Sequence, residues 1–160
     1  KLNDMIRLQA EVASLDSKYE SFPNGPCTDV QGAVIGANCV QDLGGKPRPY
    51  APKWSGSAGM VLMLPMGTRM LSAEPGVRFS SRFVEQVNNN PLYYQDSYAK
   101  LDLRLGYGPD DKRWEVAVIG TNLNDKITAS YRNNVGTSPG TFHALPEEGR
   151  SVALQFSMRN

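Results

Sequence analysis

Apolar and polar residues alternate with a period of two along six stretches of this chain. In residues 98–107, Leu101, Leu103 and Leu105 occupy every second position, and charged residues lie between them. Strict alternation is typical of a β-strand that has one apolar and one polar face. The sequence therefore predicts an all-β fold with strands at residues 5–13, 53–64, 77–85, 98–107, 113–122 and 150–159.

A helical pattern fits the chain at one place only. Residues 4–15 match a helical template passably, and Asn3 or Asp4 could cap such a helix. A membrane-spanning helix needs about 18 uninterrupted apolar residues, whereas the most apolar stretch runs only from Met60 to Met66. The sequence thus excludes a helical membrane protein. It does not exclude a membrane β-barrel, whose strands need only about ten residues each.

The segments between the predicted strands alternate in length. Long or medium loops at residues 17–51, 86–97 and 123–149 are separated by shorter turns at residues 65–76 and 108–112. The chain contains 15 glycines and 11 prolines, as expected for a fold with many turns. Long loops at one end and short turns at the other are typical of outer-membrane barrels, and a soluble sandwich has no reason to be built this way.

Two aromatic residues support a membrane environment. Tyr107 and Trp114 flank the turn at residues 108–112, as expected for the aromatic belt that borders the apolar band of a membrane barrel. Six strands cannot close such a barrel, because an open edge leaves backbone groups unpaired in lipid. We therefore expect this chain, which begins at Lys1 without a start methionine or signal peptide, to be part of a larger barrel.

The charge of the chain is nearly balanced. Lysine and arginine total 17 against 16 acidic residues, and the formal net charge is +1. A nucleic-acid-binding protein would show a clustered basic excess, so nucleic acid is not an expected partner. Charged residues make up 21% and apolar residues 40% of the chain, which excludes a charged disordered tail.

Three segments resemble motifs of TonB-dependent outer-membrane receptors. Residues 114–126 (WEVAVIGTNLNDK) resemble a segment near the C-terminus of these receptors. Residues 44–54 (GGKPRPYAPKW) are similar to the start of one of their strands, and residues 96–104 (DSYAKLDLR) to another strand. The three motifs occur in the right order at the spacing of a barrel, and the resemblance extends from about residue 2 to residue 158.

The resemblance implies both a fold and a function. Residues 1–160 would be the last six strands of an antiparallel up-and-down barrel of about 22 strands, and the plug domain and the TonB box would lie outside this chain. Such receptors lie in the outer membrane of Gram-negative bacteria, among lipid and lipopolysaccharide. They import a siderophore, vitamin, sugar or aromatic compound with energy from the TonB–ExbB–ExbD complex. They are not enzymes and need no cofactor.

The C-terminal residues depart from the family pattern. Members of the family usually end in an aromatic residue, whereas this chain ends in Phe156-Ser157-Met158-Arg159-Asn160. Either the true terminus lies beyond Asn160, or Phe156 carries the signal for barrel insertion.

Both cysteines fall in the first long loop. A barrel loop passes through an oxidising compartment, so a disulfide between Cys27 and Cys39 is expected. It would stabilise the loop by about 3 kcal/mol in the chain-entropy description. The alternative is two unpaired thiols. A metal site is not expected, because two cysteines and one distant histidine do not provide four ligands.

His143 is the only histidine, and it lies in a predicted loop. A catalytic histidine would need a nucleophile beside it on rigid strands, so no catalytic residue is expected. A solvated loop residue is the ordinary interpretation of His143, and a contact with ligand is the alternative.

Other loop residues are candidates for ligand binding. Tyrosine and arginine contribute much of the binding energy at recognition surfaces. Packing of the loops against each other is the alternative interpretation for each of them. The candidates are Tyr93, Tyr94, Tyr131, Arg132 and Phe142.

Charged residues occupy the polar side of the predicted strands. In a barrel they would face the lumen and pair with each other and with the plug, and their mixed signs favour a structural network over an ion filter. They are Arg78, Arg82, Lys100, Asp102, Arg104 and Glu115.

Two other classes of protein remain as alternatives. One is a soluble secreted β-sandwich that binds a ligand and is stabilised by one disulfide. The other is an outer-membrane enzyme or adhesin, which the lack of a recognisable nucleophile–histidine pair disfavours. The sequence does not name the substrate.

Overall fold

The computed structural model describes residues 5–136, 138 and 140–159. Six long strands form the framework: β1 (Ile6–Ser14), β4 (Trp54–Met66), β5 (Arg69–Ser80), β8 (Tyr98–Pro109), β9 (Trp114–Thr121) and β12 (Ser151–Met158). Shorter strands lie between them: β2 (Gly25–Pro26), β3 (Val40–Gln41), β6 (Phe83–Val84), β7 (Tyr94–Gln95), β10 (Ala129–Asn134) and β11 (Phe142–Pro146). A helix α1 (Asp29–Ile35) and a 3-10 turn (Pro91–Tyr93) complete the elements of the described residues.

The six long strands form one antiparallel sheet in which chain neighbours are also spatial neighbours. The order is β1-β4-β5-β8-β9-β12, with β1 and β12 at the two edges. Because successive strands reverse direction, the long connections meet at one end. We call them loop 1 (residues 15–53), loop 2 (residues 81–97) and loop 3 (residues 122–150). The short turns lie at the other end, and the predicted all-β up-and-down meander is confirmed.

One strand is placed differently from the prediction. The third long strand begins at Arg69 and ends at Ser80, so most of the predicted turn at residues 65–76 is strand. The turn itself contains Gly67 and Thr68, and Gly67 has a φ of 66°. Pro75 obscured this strand in the sequence, because a proline argues against a central strand. It pairs with Leu103 on β8, while the β4–β5 pairs stop at Gly59 and resume at Leu62.

The first predicted strand is confirmed, and the helical alternative for residues 4–15 is wrong. Residues Ile6 to Ser14 pair with Leu62 to Trp54 of β4 in an unbroken antiparallel register. Backbone pairing with a neighbouring strand thus decides the conformation. The proposed caps Asn3 and Asp4 lie outside the described residues, as does Asn160.

One face of the sheet is apolar across all six strands. A single cross-strand row contains Ile6, Leu62, Ala73, Leu105, Val118 and Leu154. Leu154 is 76% exposed and Val118 is 45% exposed. In a soluble sandwich a second sheet would cover this row, but the other sheets in the described residues have two strands each. Among the described residues, no second sheet covers this apolar face.

The buried side chains lie in the loops. Leu43, Val84, Glu85 and Tyr93 are the largest fully buried side chains among the described residues. All four belong to loop 1 or loop 2, so these loops pack into an ordered layer above the strands.

The helices of the described residues are short. None of them is long and apolar enough to cross a membrane. At the turn end of the sheet, the rings of Tyr107 and Trp114 are 6.3 Å apart in an edge-on arrangement.

Candidate functional site

The polar face of the sheet carries a network of charges. Arg104 on β8 lies between Glu74 on β5, at 2.9 Å, and Glu115 on β9, at 2.5 Å. The neighbouring Gly106 leaves room for this network, because a Cβ there would lie 2.4 Å from Glu115 Oε1. The guanidinium fork of Arg104 thus joins three adjacent strands on the face opposite the apolar row.

Asp102 links the same face to loop 3. Its carboxylate accepts hydrogen bonds from Arg78 Nε at 3.0 Å and from the backbone N–H of Asn122 at 2.9 Å. Asn122 is buried, and its side chain bonds to the backbone of Lys126 and Glu148. One buried residue therefore fastens both stems of loop 3 to the top of the sheet.

Lys100, on the polar face of the sheet, makes its ion pair with a residue of loop 3. It is 5% exposed, and its Nζ lies 2.8 Å from Glu147 Oε2. Thr128 Oγ1 donates to the same Glu147 oxygen at 2.6 Å. The hydrogen bonds from Lys100 and then from Thr128 lower the pKa of Glu147. Glu147 therefore stays ionised and anchored in neutral solution.

Arg82 lies beyond the end of β5, outside the strand on which it was predicted. Its guanidinium is 4.1 Å from the ring centroid of Tyr94, and its Nε is 3.5 Å from Asp96. The exposed side chain thus belongs to loop 2, because the strand ends at Ser80.

Loop 1 is closed by the predicted disulfide. Cys27 and Cys39 are bonded, with their Cα atoms 5.8 Å apart. The bond encloses α1, whose N-terminus has a capping box formed by Thr28 and Gln31. The prediction of a disulfide in this loop is confirmed, and the alternative of free thiols is wrong.

Tyr93, a predicted ligand contact, lies inside the loop layer. It is 1% exposed, and its hydroxyl donates to Asp29 Oδ2 at 2.6 Å. Burial, and then the hydrogen bond to Asp29, raises the pKa of Tyr93 to about 12. Its ring lies inside the loop layer, and its hydroxyl joins loop 2 to α1.

Arg132 also points inward, toward a carboxylate. It forms an ion pair with Glu85, whose side chain is fully buried, and donates to Gln95 Oε1 at 3.1 Å. The second oxygen of Glu85 has no hydrogen-bond partner among the described residues. Burial raises the pKa of Glu85, and Arg132 opposes this effect. Arg132 thus joins loop 3 to loop 2.

The remaining candidates lie nearer the surface of loops 2 and 3. Tyr94 donates its hydroxyl to Asn89 Oδ1 at 3.1 Å and is half-buried. The rings of Tyr131 and His143 are 5.9 Å apart. Phe142 is 44% exposed, and His143 is exposed as well.

Two residues of this region were missed by the sequence analysis. Tyr50 is half exposed and donates its hydroxyl to Ser130 O at 3.2 Å, so it brings loop 1 to loop 3. Glu85 ended a predicted strand, and nothing in the sequence pattern marks it as the buried partner of Arg132. Phe142 lies on the opposite face of the β10–β11 pair from Tyr131 and His143, because it follows the register of Arg132. We call Tyr50, Tyr131 and His143 the aromatic patch.

The loop end of the molecule combines surface rings with a hydrogen-bonded support. It offers partly exposed rings on a layer fixed by buried hydrogen bonds and one disulfide. Within the described residues, no group of three or more histidine, cysteine, aspartate or glutamate side chains could hold a metal ion.

Comparisons with known proteins identify the fold. No protein-family model matches the chain, and no curated protein matches it. Two solved structures are similar. The siderophore receptor PiuA from Acinetobacter baumannii aligns with 96% of this chain at 21% identity and a TM-score of 0.70. The ferric yersiniabactin uptake receptor FyuA from Yersinia pestis aligns with 72% at 20% identity and a TM-score of 0.61.

The chain thus has the fold of a segment of an outer-membrane receptor barrel. The resemblance to TonB-dependent receptors is confirmed at the level of this fold. The chain spans 19% of the PiuA structure and 17% of the FyuA structure.

Proposed function

We propose that this chain is part of the wall and outer loop layer of an outer-membrane receptor that imports a scarce nutrient with energy from TonB. A ferric siderophore is the first candidate, because the two similar structures are siderophore receptors by their titles. A vitamin, sugar or aromatic compound are the other candidates. The receptor is proposed to act without a cofactor and without catalysing a reaction.

One observation supports the proposal above all others. The six strands have an unbroken apolar row on one face and a charged network on the other, while all three long loops lie at one end. This combination fits a barrel wall in lipid with its loops outside the cell. It does not fit a sandwich, because a second sheet would have to cover the apolar row in a sandwich.

The proposal includes an energy source and partners. An outer membrane holds no ATP and little potential, so uphill import needs energy from the inner membrane. We propose that the parent receptor obtains it through the TonB–ExbB–ExbD complex, by way of a TonB box and plug outside this chain. Residues 1–160 would then form the C-terminal part of the barrel, embedded in outer-membrane lipid and lipopolysaccharide.

Uptake with and without TonB tests the energy source. The parent receptor is expressed in an iron-starved host that lacks its own siderophore receptors, and labelled ferric siderophores are supplied at nanomolar concentration. We expect uptake in the presence of TonB, and surface binding alone when tonB is deleted or the proton-motive force is collapsed. Uptake that persists at low ligand concentration without TonB would show a passive channel and contradict the proposal.

The aromatic patch is the proposed contact with ligand. His143→Ala removes an exposed ring from the patch, and truncation of such a contact should weaken surface binding about fivefold or more. Ile127→Ala is the matched control, because Ile127 is 78% exposed in the same loop and lies outside the patch. Equal affinities for both variants and the parent would remove His143 from the binding surface.

A further inference from the structure

The apolar face of the sheet ends in a cation at the turn end. Arg69 is two residues before Leu71 and four before Ala73, so its side chain lies on the same face as the apolar row. Trp114 precedes Val118 of that row by four residues and shares this face. The guanidinium of Arg69 lies over the Trp114 ring, 5.1 Å from its centroid. A stacked arginine–tryptophan pair therefore lies at the margin of the apolar face.

Exposed apolar side chains surround this pair. Met66 of β4 pairs with Arg69, and Met158 of β12 pairs with Trp114. Both methionines are exposed, as is Tyr107, whose ring is next to that of Trp114. Arg69 is the first residue of β5, so its guanidinium lies where this apolar surface meets the turn.

No carboxylate of the described residues forms an ion pair with Arg69. The turn between β8 and β9 contains Asp111, but its carboxylate accepts from Arg113 Nε at 2.6 Å and from the Arg113 N–H at 3.2 Å. Stacking on an aromatic ring uses the face of a guanidinium and leaves the N–H donors at its edge available to an anion.

Positive charge predominates at this end of the sheet. Four cationic and two anionic side chains lie in the segments next to the turns, residues 66–69, 109–114 and 158–159. Arg113 pairs with a carboxylate of its own turn, whereas Lys112 and Arg159 line a cavity on the polar face. Arg69 is therefore the cation of these segments that lies on the apolar face.

The ligand that fits this margin is an amphipathic anion. Arginine binds phosphate through two N–H donors of its planar guanidinium, and tryptophan and tyrosine favour the level of lipid headgroups. A zwitterionic phospholipid carries an ammonium group near its phosphate, whereas phosphatidylglycerol has the phosphate as its only charge. The anionic lipid should therefore gain more from Arg69 than the zwitterionic lipid does.

We propose that Arg69 and Trp114 form a binding site for an anionic phospholipid on the outer surface of the barrel wall, at the turn end. Arg69 donates to the phosphate, Trp114 holds the guanidinium at the level of the headgroup, and an acyl chain lies along Tyr107 and Met158. The apolar surface beside Arg69 selects a phosphate carried by a lipid over a free phosphate ion. The site rests on the proposed membrane position of the chain, and it does not depend on the substrate or on TonB.

Quenching of Trp114 fluorescence by brominated lipid tests the site. The parent receptor is placed in vesicles of phosphatidylcholine and phosphatidylglycerol, with bromine on the acyl chains of one lipid or of the other. The difference between a receptor and the same receptor with Trp114→Phe isolates the emission of Trp114. We expect phosphatidylglycerol to be preferred about fivefold next to Trp114, the factor expected for one cation near an anionic lipid surface.

Arg69→Gln should remove the preference, and Arg69→Lys should keep most of it, because lysine retains the charge. Arg159→Gln is the matched control, because it removes a cation from the same end of the sheet on its polar side. It should leave the preference unchanged. Equal losses in Arg69→Gln and Arg159→Gln would show a diffuse attraction and overturn the site, and so would a complete loss in Arg69→Lys.

The same vesicles separate this inference from the proposed function. Equal quenching by the two brominated lipids in the parent receptor would overturn the phospholipid site alone. If neither lipid quenched Trp114, the wall would not lie in lipid, and the proposed membrane receptor would be contradicted together with the site.

Discussion

The strand wall and the loop layer of this chain follow opposite rules of burial. In the wall, apolar side chains such as Leu154 and Val152 are 76% and 67% exposed. In the loop layer, Glu85 and Tyr93 are buried, although loops usually run over the surface of a protein. The two regions are built from the same chain, and the difference lies in what surrounds them.

The proposed position in a membrane barrel would explain the contrast. Lipid would then surround the wall, where an apolar side chain gains nothing from burial and the backbone is satisfied by pairing strands. The loops would lie in water, where they must bury apolar surface and pair the polar groups that go with it. Tyr93 with Asp29 and Glu85 with Arg132 are such pairs.

The strongest test of this contrast is a charge on the outer face of the wall. Leu154→Arg places a cation in the apolar row and should destabilise the folded barrel by about 2–4 kcal/mol near the bilayer midplane. Gln155→Arg is the matched control, because Gln155 is the next residue of β12 and faces the other side. Denaturant unfolding in lipid vesicles measures both variants.

One result for these two variants would contradict the prediction. Equal stability of Leu154→Arg and Gln155→Arg would mean that the two faces of β12 share one environment. The apolar row would then not be a lipid surface, and the contrast between wall and loops would be lost.

A smaller effect is expected from the loop layer. Tyr93→Phe removes the hydroxyl that donates to Asp29 and should loosen the contact between loop 2 and α1 by about 1.5–3 kcal/mol, as for a hydrogen bond to a charged group. Hydrogen exchange should rise in peptides from loops 1 and 2 and remain unchanged in β8 and β9. A loss of protection in the wall would show that the two regions are not independent.

The same hydrogen bond depends on pH. The pKa of Tyr93 is raised from 10.0 to about 12, so the neutral hydroxyl is favoured in the folded loop layer. Its contribution is complete below pH 10 and is lost as the pH rises through about 12. Burial also raises the pKa of Tyr50, so the difference between the absorbance titrations of the parent and of Tyr93→Phe isolates Tyr93. We expect this difference to appear near pH 12. A difference near pH 10 would contradict the raised pKa of Tyr93.

The period-two pattern predicted the strands where alternation is clean. β1, β4, β8, β9 and β12 all lie close to their predicted residues, because side chains alternate between two different environments along each strand. The prediction was wrong for β5, where Pro75 and Gly76 interrupt the alternation, although the backbone continues between two partner strands. Pairing on both sides overrides local composition in such a strand.

The candidate site was predicted in part. The disulfide in loop 1 was accessible to the sequence, because two cysteines in one loop and an oxidising compartment leave one natural pair. The sequence did not show which aromatic and charged loop residues are buried. Tyr93 and His143 are both in predicted loops, yet one is buried and the other exposed.

The sequence by itself determined the all-β class, the apolar and polar faces and the single end at which the loops meet, because these follow from local alternation and from segment lengths. Only the tertiary structure decided which loop residues are buried. Arg132 and Glu85, like Glu147 and Lys100, are 47 residues apart in the chain. Such pairs depend on how the sheet brings distant loops together, and no local pattern of residues records that distance.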